Sequence, residues 1–224
     1  MTVQMLPATL RSYYRDTYTT LAKAKVAEVG KDQDGTYLIL DNTIFHPQGG
    51  GQPSDQGWIE LDDQQAEVKK LVVSEGIVKH YCEGTFEIGQ TVTQKVDKDK
   101  RQLHARWHSA GHLLSNAVNQ LYPDLQGSNG HHFPGAGYVT FEGPIPQDLP
   151  TFKSEVGLLV NSLVQQALPT VNLWDQPSRQ IQFGDLPAYP CGGTHVANTN
   201  EIGLITIRNT KKNQGKLRVG YNIE

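Results

Sequence analysis

The chain has 224 residues, 37% of them hydrophobic, and a formal net charge of −3. That length allows one large domain or two modest ones with a buried core, and the acidic balance excludes an overall basic nucleic-acid binder while leaving room for a local basic patch. With only Cys82 and Cys191 present, a disulfide framework is excluded and a reducing, cytoplasmic setting is expected.

The amino terminus, MTVQMLPATLRSYY, lacks a long apolar core. No later run approaches the ~20 apolar residues of a membrane span, so no membrane partner is expected. Residues 1–96 read as β-rich. Short strands are predicted at Val26–Val29, Tyr37–Leu40, Trp58–Leu61, Val68–Val73, Ile77–Tyr81 and Thr91–Val96, separated by Gly- or Asp-containing turns. Strands at this spacing predict a small barrel. Between them, FHPQGGGQPSDQGW (residues 45–58) is too rich in Gly and Pro for a regular element. The charged segment Asp97–Arg101 marks a shift in composition, placing a domain boundary between residues 96 and 97.

From Arg101 to Tyr122, Leu103, Trp107, Ala110, Leu114, Ala117 and Leu121 alternate in steps of four and three, the signature of one helix face. Pro123 ends the pattern. Tyr138–Phe141 is a predicted strand. A second helix is predicted from about Pro150 to Leu168, with Asp148 near its start and Phe152, Val156, Leu159 and Leu163 on one face. Further strands are predicted at Val171–Trp174, Gln180–Phe183, Leu204–Ile207 and Leu217–Ile223, the last two flanking a basic loop, Lys211–Lys216. The fold class expected is α+β: a small N-terminal β-barrel domain (residues 1–96, carrying the glycine-rich loop), then an α/β domain (residues 97–224) with an antiparallel sheet and two main helices.

His104, His108 and His112 recur every fourth residue beside the apolar stripe, so successive turns bring imidazoles to one point. Spacing alone does not choose between His104/His108 and His108/His112. Zinc needs more ligands, and Cys191 and His195 in PCGGTHV supply a thiolate and an imidazole across a glycine-rich turn. A zinc peptidase helix reads HExxH, with the glutamate as general base. Here Ser109 follows His108 and no carboxylate lies inside the motif, which favours an activated ester over an amide as substrate.

HSAGH, followed by CGGTH and preceded by GGGQPSDQG, closely resembles the free-standing AlaX-type editing proteins related to alanyl-tRNA synthetase, in the form with an N-terminal domain. The resemblance runs from LRSYYRDTYTTLAKAKV to the closing LRVGYNIE. It implies one zinc ion per chain, held by His108, His112, Cys191 and His195, and hydrolysis by zinc-bound water of the ester bond in alanine tRNA mischarged with serine or glycine. Mischarged alanine tRNA is thus the expected partner, with no protein partner indicated. The family usually has Thr at the position of Ser109, and often at that of Gly111.

The resemblance further implies that the loop Gly50-Gly51-Gln52 reaches the editing pocket, with Gln52 offering amide donors and an acceptor. Ser109, Thr140 and Gln52 are candidates for recognising the serine hydroxyl, and His132 is a candidate for bordering the pocket. Candidates for phosphate contacts are Lys98, Lys100, Arg101, Arg106, Lys211, Lys212, Lys216 and Arg218. Two competitors stand beside this reading: a threonyl-type editing domain, and a non-catalytic zinc-stabilised tRNA-binding module.

Overall fold

The computed structural model describes residues 7–174 and 178–224; the part of the amino-terminal reading that falls on residues 1–6 lies outside them. The chain divides into two compact units. Unit 1 takes the residues up to Gln48 together with Pro53–Arg101, and unit 2 takes Gly49–Gln52 and Gln102–Glu224.

Unit 1 contains β1 (Leu10–Arg11), β2 (Leu21–Asp32), β3 (Gly35–Leu40), β4 (Asn42–Thr43), β5 (Gly57–Leu61), β6 (Gln64–Glu67), β7 (Lys70–Ser74), β8 (Ile77–Tyr81) and β9 (Thr91–Val96). Seven of them form one antiparallel sheet in the order β6-β5-β9-β2-β3-β8-β7. Alternation decides the buried face: Val92, Gln94 and Val96 point inward from β9, and Ala24 and Val26 from β2. The expected barrel is not closed. β6 and β7 follow one another through Val68 and Lys69, whose amides bond to Gly57 O and Tyr81 O. The chain thus passes directly from one sheet edge to the other, and no β6–β7 ladder forms among the described residues.

The first turn of α1 (Lys98–Leu121) is capped by Asp97, whose Oδ1 accepts from Lys100 N at 3.0 Å. Arg101 is fully buried in unit 1. Its guanidinium pairs with Asp55 and donates to Thr17 O at 2.9 Å and to Ile44 O. A charge so enclosed is a structural tie, which removes Arg101 from the phosphate-contact candidates. Breaking such a pair costs about 3–5 kcal/mol.

Unit 2 adds β10 (Gln126–His131), β11 (Tyr138–Glu142), α2 (Leu149–Gln165), β12 (Thr170–Leu173), β13 (Gln180–Phe183), β14 (Tyr189–Pro190), β15 (Ile205–Asn213) and β16 (Lys216–Ile223). Its main sheet is antiparallel, in the order β10-β11-β16-β15, with β12-β13-β14 as a smaller sheet. The core gathers Ala110, Leu113, Leu114, Ala117 and Val118 of α1 with Val139 and Phe141 of β11 and Phe152, Val156 and Val160 of α2. The predicted stripe on α1 holds in its middle, but its end residues Leu103 and Leu121 are more than a third exposed. The Asp148 side chain caps α2 by accepting from Thr151 N at 3.0 Å. Among the described residues no helix is long and apolar enough to cross a membrane.

Candidate metal centre

α1 places His108 and His112 one turn apart, with ring centroids separated by 4.9 Å. The loop after β14 brings Cys191 and His195 to the same point: Cys191 Sγ lies 3.6 Å from His108 Nε2 and 3.2 Å from His195 Nε2. One ligand atom from each of His108, His112, Cys191 and His195 lies within 4.8 Å of every other. Tetrahedral zinc with ordinary Zn–N and Zn–S bonds sets ligand atoms about 3.3–3.6 Å apart, so the four side chains fit that ion. The quartet contains His112 and not His104.

The backs of the imidazoles are fixed as well. His108 Nδ1 lies 2.7 Å from Gln52 Oε1, and His195 Nδ1 lies 3.0 Å from Ser109 Oγ. Each contact turns Nε2 toward the cluster, the usual job of groups behind a metal ligand. Gln52 Oε1 also accepts from Thr194 N at 2.9 Å, and its Nε2 donates to Thr194 Oγ1 at 2.9 Å. Ser109 Oγ accepts in addition from Val196 N at 3.2 Å. Both residues are fully buried. Gln52 and Ser109 thus stand behind His108 and His195, and neither is among the residues that line the neighbouring cleft.

Electrostatics prepare the ligands. Burial, assisted by the charge of Arg179, holds His112 down at about 4, so its imidazole is neutral and free to ligate. Burial pushes the Cys191 thiol up, opposed by the Gly193 amide and Arg179; a bound cation would release that proton. Arg179 also braces the CGG turn, donating through Nη1 to Cys191 O at 3.1 Å and to Gly193 O at 2.7 Å. A side chain on Gly193 would collide with His108, so glycine is required there. The role of Arg179 was not legible from the sequence, because its partners are carbonyls rather than a motif.

Beside the quartet lies a cleft of about 430 Å³, lined by Gly50, Gly51, Gly111, His112, Ser115, Gly127, Asn129, Gly130, His132, Val139 and Tyr189 among others. Gly50 and Gly51 have φ of +57° and +77°, a region that favours glycine. A Cβ on Gly51 would strike the Gly130 carbonyl. Gly51 O accepts from His132 N at 2.8 Å. Tyr221 donates its O–H to Trp107 O at 2.8 Å and so accepts from His132 Nδ1–H at 2.7 Å. That leaves His132 Nε2 as a lone-pair acceptor. Burial foremost, with His112 and His131 nearby, holds His132 at about 3, hence uncharged.

The His132 ring occupies the space that a side chain at Gly111 would need. This accounts for glycine at that position: the imidazole and a threonine there are mutually exclusive. Thr140 is not brought to the cleft. Its neighbour Val139 lines the cleft, and alternation along β11 sends Thr140 to the opposite face, paired in register with Arg218.

A family model described as tRNA synthetases class II (A) matches residues 6–100, and one described as the threonyl and alanyl tRNA synthetase second additional domain matches residues 179–219. The chain is 29% identical over 231 residues to the alanyl-tRNA editing protein AlaX-L of Pyrococcus horikoshii, covering 94% of this chain and 57% of that protein. It is 27% identical to the alanine–tRNA ligase of Halorubrum lacusprofundi over 92% of this chain but only 24% of that protein. With AlaX-M of Pyrococcus horikoshii the identity is 32% over 231 residues, covering 98% of this chain and 100% of the relative. A match of that level, end to end, shows that the chain belongs to the AlaX family of alanyl-tRNA editing proteins.

Proposed function

We propose that this protein hydrolyses the ester bond of alanine tRNA wrongly charged with serine, and secondarily with glycine, using one zinc ion held by His108, His112, Cys191 and His195. The observation that carries the reading is the convergence of those four ligand atoms within 4.8 Å of one another beside a glycine-walled cleft. When bound, zinc supplies a Lewis acid and lowers the pKa of water toward neutrality. The chain's own residues do the rest. Gln52 and Ser109 hold His108 and His195 in their ligating orientation. The backbone at Gly50, Gly51, Gly127 and Gly130 lets the terminal adenosine and its aminoacyl group lie close to the wall. Among the described residues no Asp or Glu lines the cleft, in keeping with an ester substrate, which needs no carboxylate base.

His132 supplies the discrimination of serine from alanine. Its Nε2 can accept a hydrogen bond from the serine hydroxyl, which alanine lacks. A site built to bond a substrate hydroxyl can reject the analogue without it by about 10⁴-fold in favourable cases.

The test is incubation with seryl-, glycyl- and alanyl-tRNA of the alanine acceptor. Serine release that stops on chelation and returns with zinc is expected, with alanine largely retained. Binding of tRNA with no serine release in the presence of zinc would make the protein a non-catalytic module. Release from threonine tRNA in preference to alanine tRNA would move it to the threonyl branch.

A further inference from the structure

The main sheet of unit 2 has a second face, turned away from the core, which plays no part in the metal centre. In strand order it presents His131 on β10, Tyr138 on β11 and Arg218 on β16. The His131 ring stacks on Phe133 at 4.4 Å and 3°, and lies 5.3 Å from Tyr138 at 25°. The Arg218 guanidinium lies 3.3 Å from the Tyr138 ring centroid. Next to this stacked row, Gly220 faces Tyr138 on one side and Asn209 on the other. A side chain at Gly220 would press on Asn209 Oδ1. Its absence opens a hollow of about 280 Å³ lined by Gly135, Ala136, Tyr138, Arg208, Lys211 and Arg218.

Charge singles out this hollow. The chain is acidic overall, yet among the described residues Arg208, Lys211 and Arg218 form no ion pair. Four of the other basic candidates are engaged: Arg101 with Asp55, Lys100 with Asp97, Lys216 with Glu142, and Arg106 with Ile202 O and Glu224 O. Arg208 donates to Gly135 O, Gly137 O and Asn222 Oδ1, so it shapes the rim while keeping its charge. Arg218 is different. It sits over an aromatic ring, and no hydrogen bond from its guanidinium forms among the described residues. A guanidinium so held has lost rotamer freedom in advance and offers its planar fork of N–H donors to an anion with paired oxygens.

We infer that this outward face binds the phosphodiester backbone of the tRNA strand, with Arg218 gripping one phosphate through two N–H groups and Lys211 and Arg208 adding charge. The inference rests on the reading that tRNA is the substrate. Adjacent residues serve the two sides: His132 lines the cleft, while His131 stacks in the row that ends on Arg218 of β16.

The test measures binding of uncharged alanine tRNA by fluorescence anisotropy over a salt series, for the zinc-loaded wild type and for Arg218→Gln, Arg218→Lys and Lys211→Gln. Arg218→Gln is expected to weaken binding about tenfold and to reduce the slope of log affinity against log salt by about one. Arg218→Lys keeps the slope but not the full affinity, because the charge stays and the fork is lost. Lys211→Gln, at an exposed position, lowers affinity and slope. Seryl ester turnover on 3′-seryl-adenosine, which has no phosphate backbone, stays at the wild-type rate in all three. Unchanged affinity and slope in both Arg218→Gln and Lys211→Gln would overturn the inference. So would displacement of tRNA by a poly-glutamate peptide at equal charge, which would assign the face to acidic protein segments. Wild-type protein that binds tRNA with the expected slopes but hydrolyses neither ester would sink the proposed function and leave this surface standing.

Discussion

Gln52→Ala tests how the metal centre is built. The Gln52 carboxamide is buried and makes three contacts: Oε1 with His108 Nδ1 at 2.7 Å, Oε1 with Thr194 N at 2.9 Å, and Nε2 with Thr194 Oγ1 at 2.9 Å. Truncation leaves the His108 Nδ1–H and the Thr194 N–H without an acceptor, in a place too enclosed for bulk water. Each orphaned group costs about 1–3 kcal/mol. Freeing the imidazole to rotate lowers metal affinity by about 10- to 100-fold, the usual effect of removing a partner behind a ligand. That range corresponds to about 1.4–2.7 kcal/mol. At saturating zinc, Gln52→Ala should keep a normal zinc content and deacylate more weakly. Under competition with a chromophoric chelator, however, Gln52→Ala should release zinc 10- to 100-fold more readily. Gln52→Glu keeps an oxygen facing both N–H groups and should bind zinc at least as well as the wild type. Zinc affinity for Gln52→Ala within about twofold of wild type, in protein that melts normally, would refute the view that Gln52 works through His108.

Two other predictions follow from buried imidazoles. Gly111→Ala pushes a methyl group into the His132 ring, which Tyr221 holds while the Gly51 carbonyl fixes the His132 backbone N–H; overpacking of this kind costs about 1–3 kcal/mol. A thermal melt should fall by several degrees and serine release should drop, whereas an unaltered melting temperature would show that the ring moves freely. In unit 1, His80 is wholly buried between Thr43 Oγ1 at 2.8 Å and Leu38 O at 3.2 Å, and desolvation holds it at about 4 against 6.5 in the unfolded chain. The unfolded state binds the extra proton between those values, so stability is full above about pH 6.5 and declines as pH falls toward 4, by about 1.4 kcal/mol per pH unit and about 3 kcal/mol in all. An NMR titration that places the His80 transition near 6.5, or a His80→Gln variant with the wild-type pH dependence of unfolding, would contradict this.

Much of the site was legible before folding was considered. The four-residue period of His104, His108 and His112 and the short CGGTH segment are local patterns, and local patterns survive in a one-dimensional chain. So do the alternating strands of residues 21–96 and the Asp148 cap, since both depend on neighbours a few positions away. What the sequence left out are facts about distance in space. Strand β10 was missed because Gly127, Ser128, Asn129 and Gly130 carry no strand propensity; β11, paired along its length, holds the segment in the sheet. The barrel failed to close because two consecutive strands took opposite edges, which pairing alone decides. Gln52 and Ser109 looked like substrate ligands by chemistry, but tertiary packing turned their polar atoms onto His108 and His195. Thr140 went to the outer face by the two-residue period of its strand. The sequence by itself determined which residue types could hold a metal. Only the tertiary structure decided which imidazoles share a point, which groups stand behind them, and that His132 fills the space beside Gly111, because side chains far apart in the chain meet only when the core has brought their backbones together.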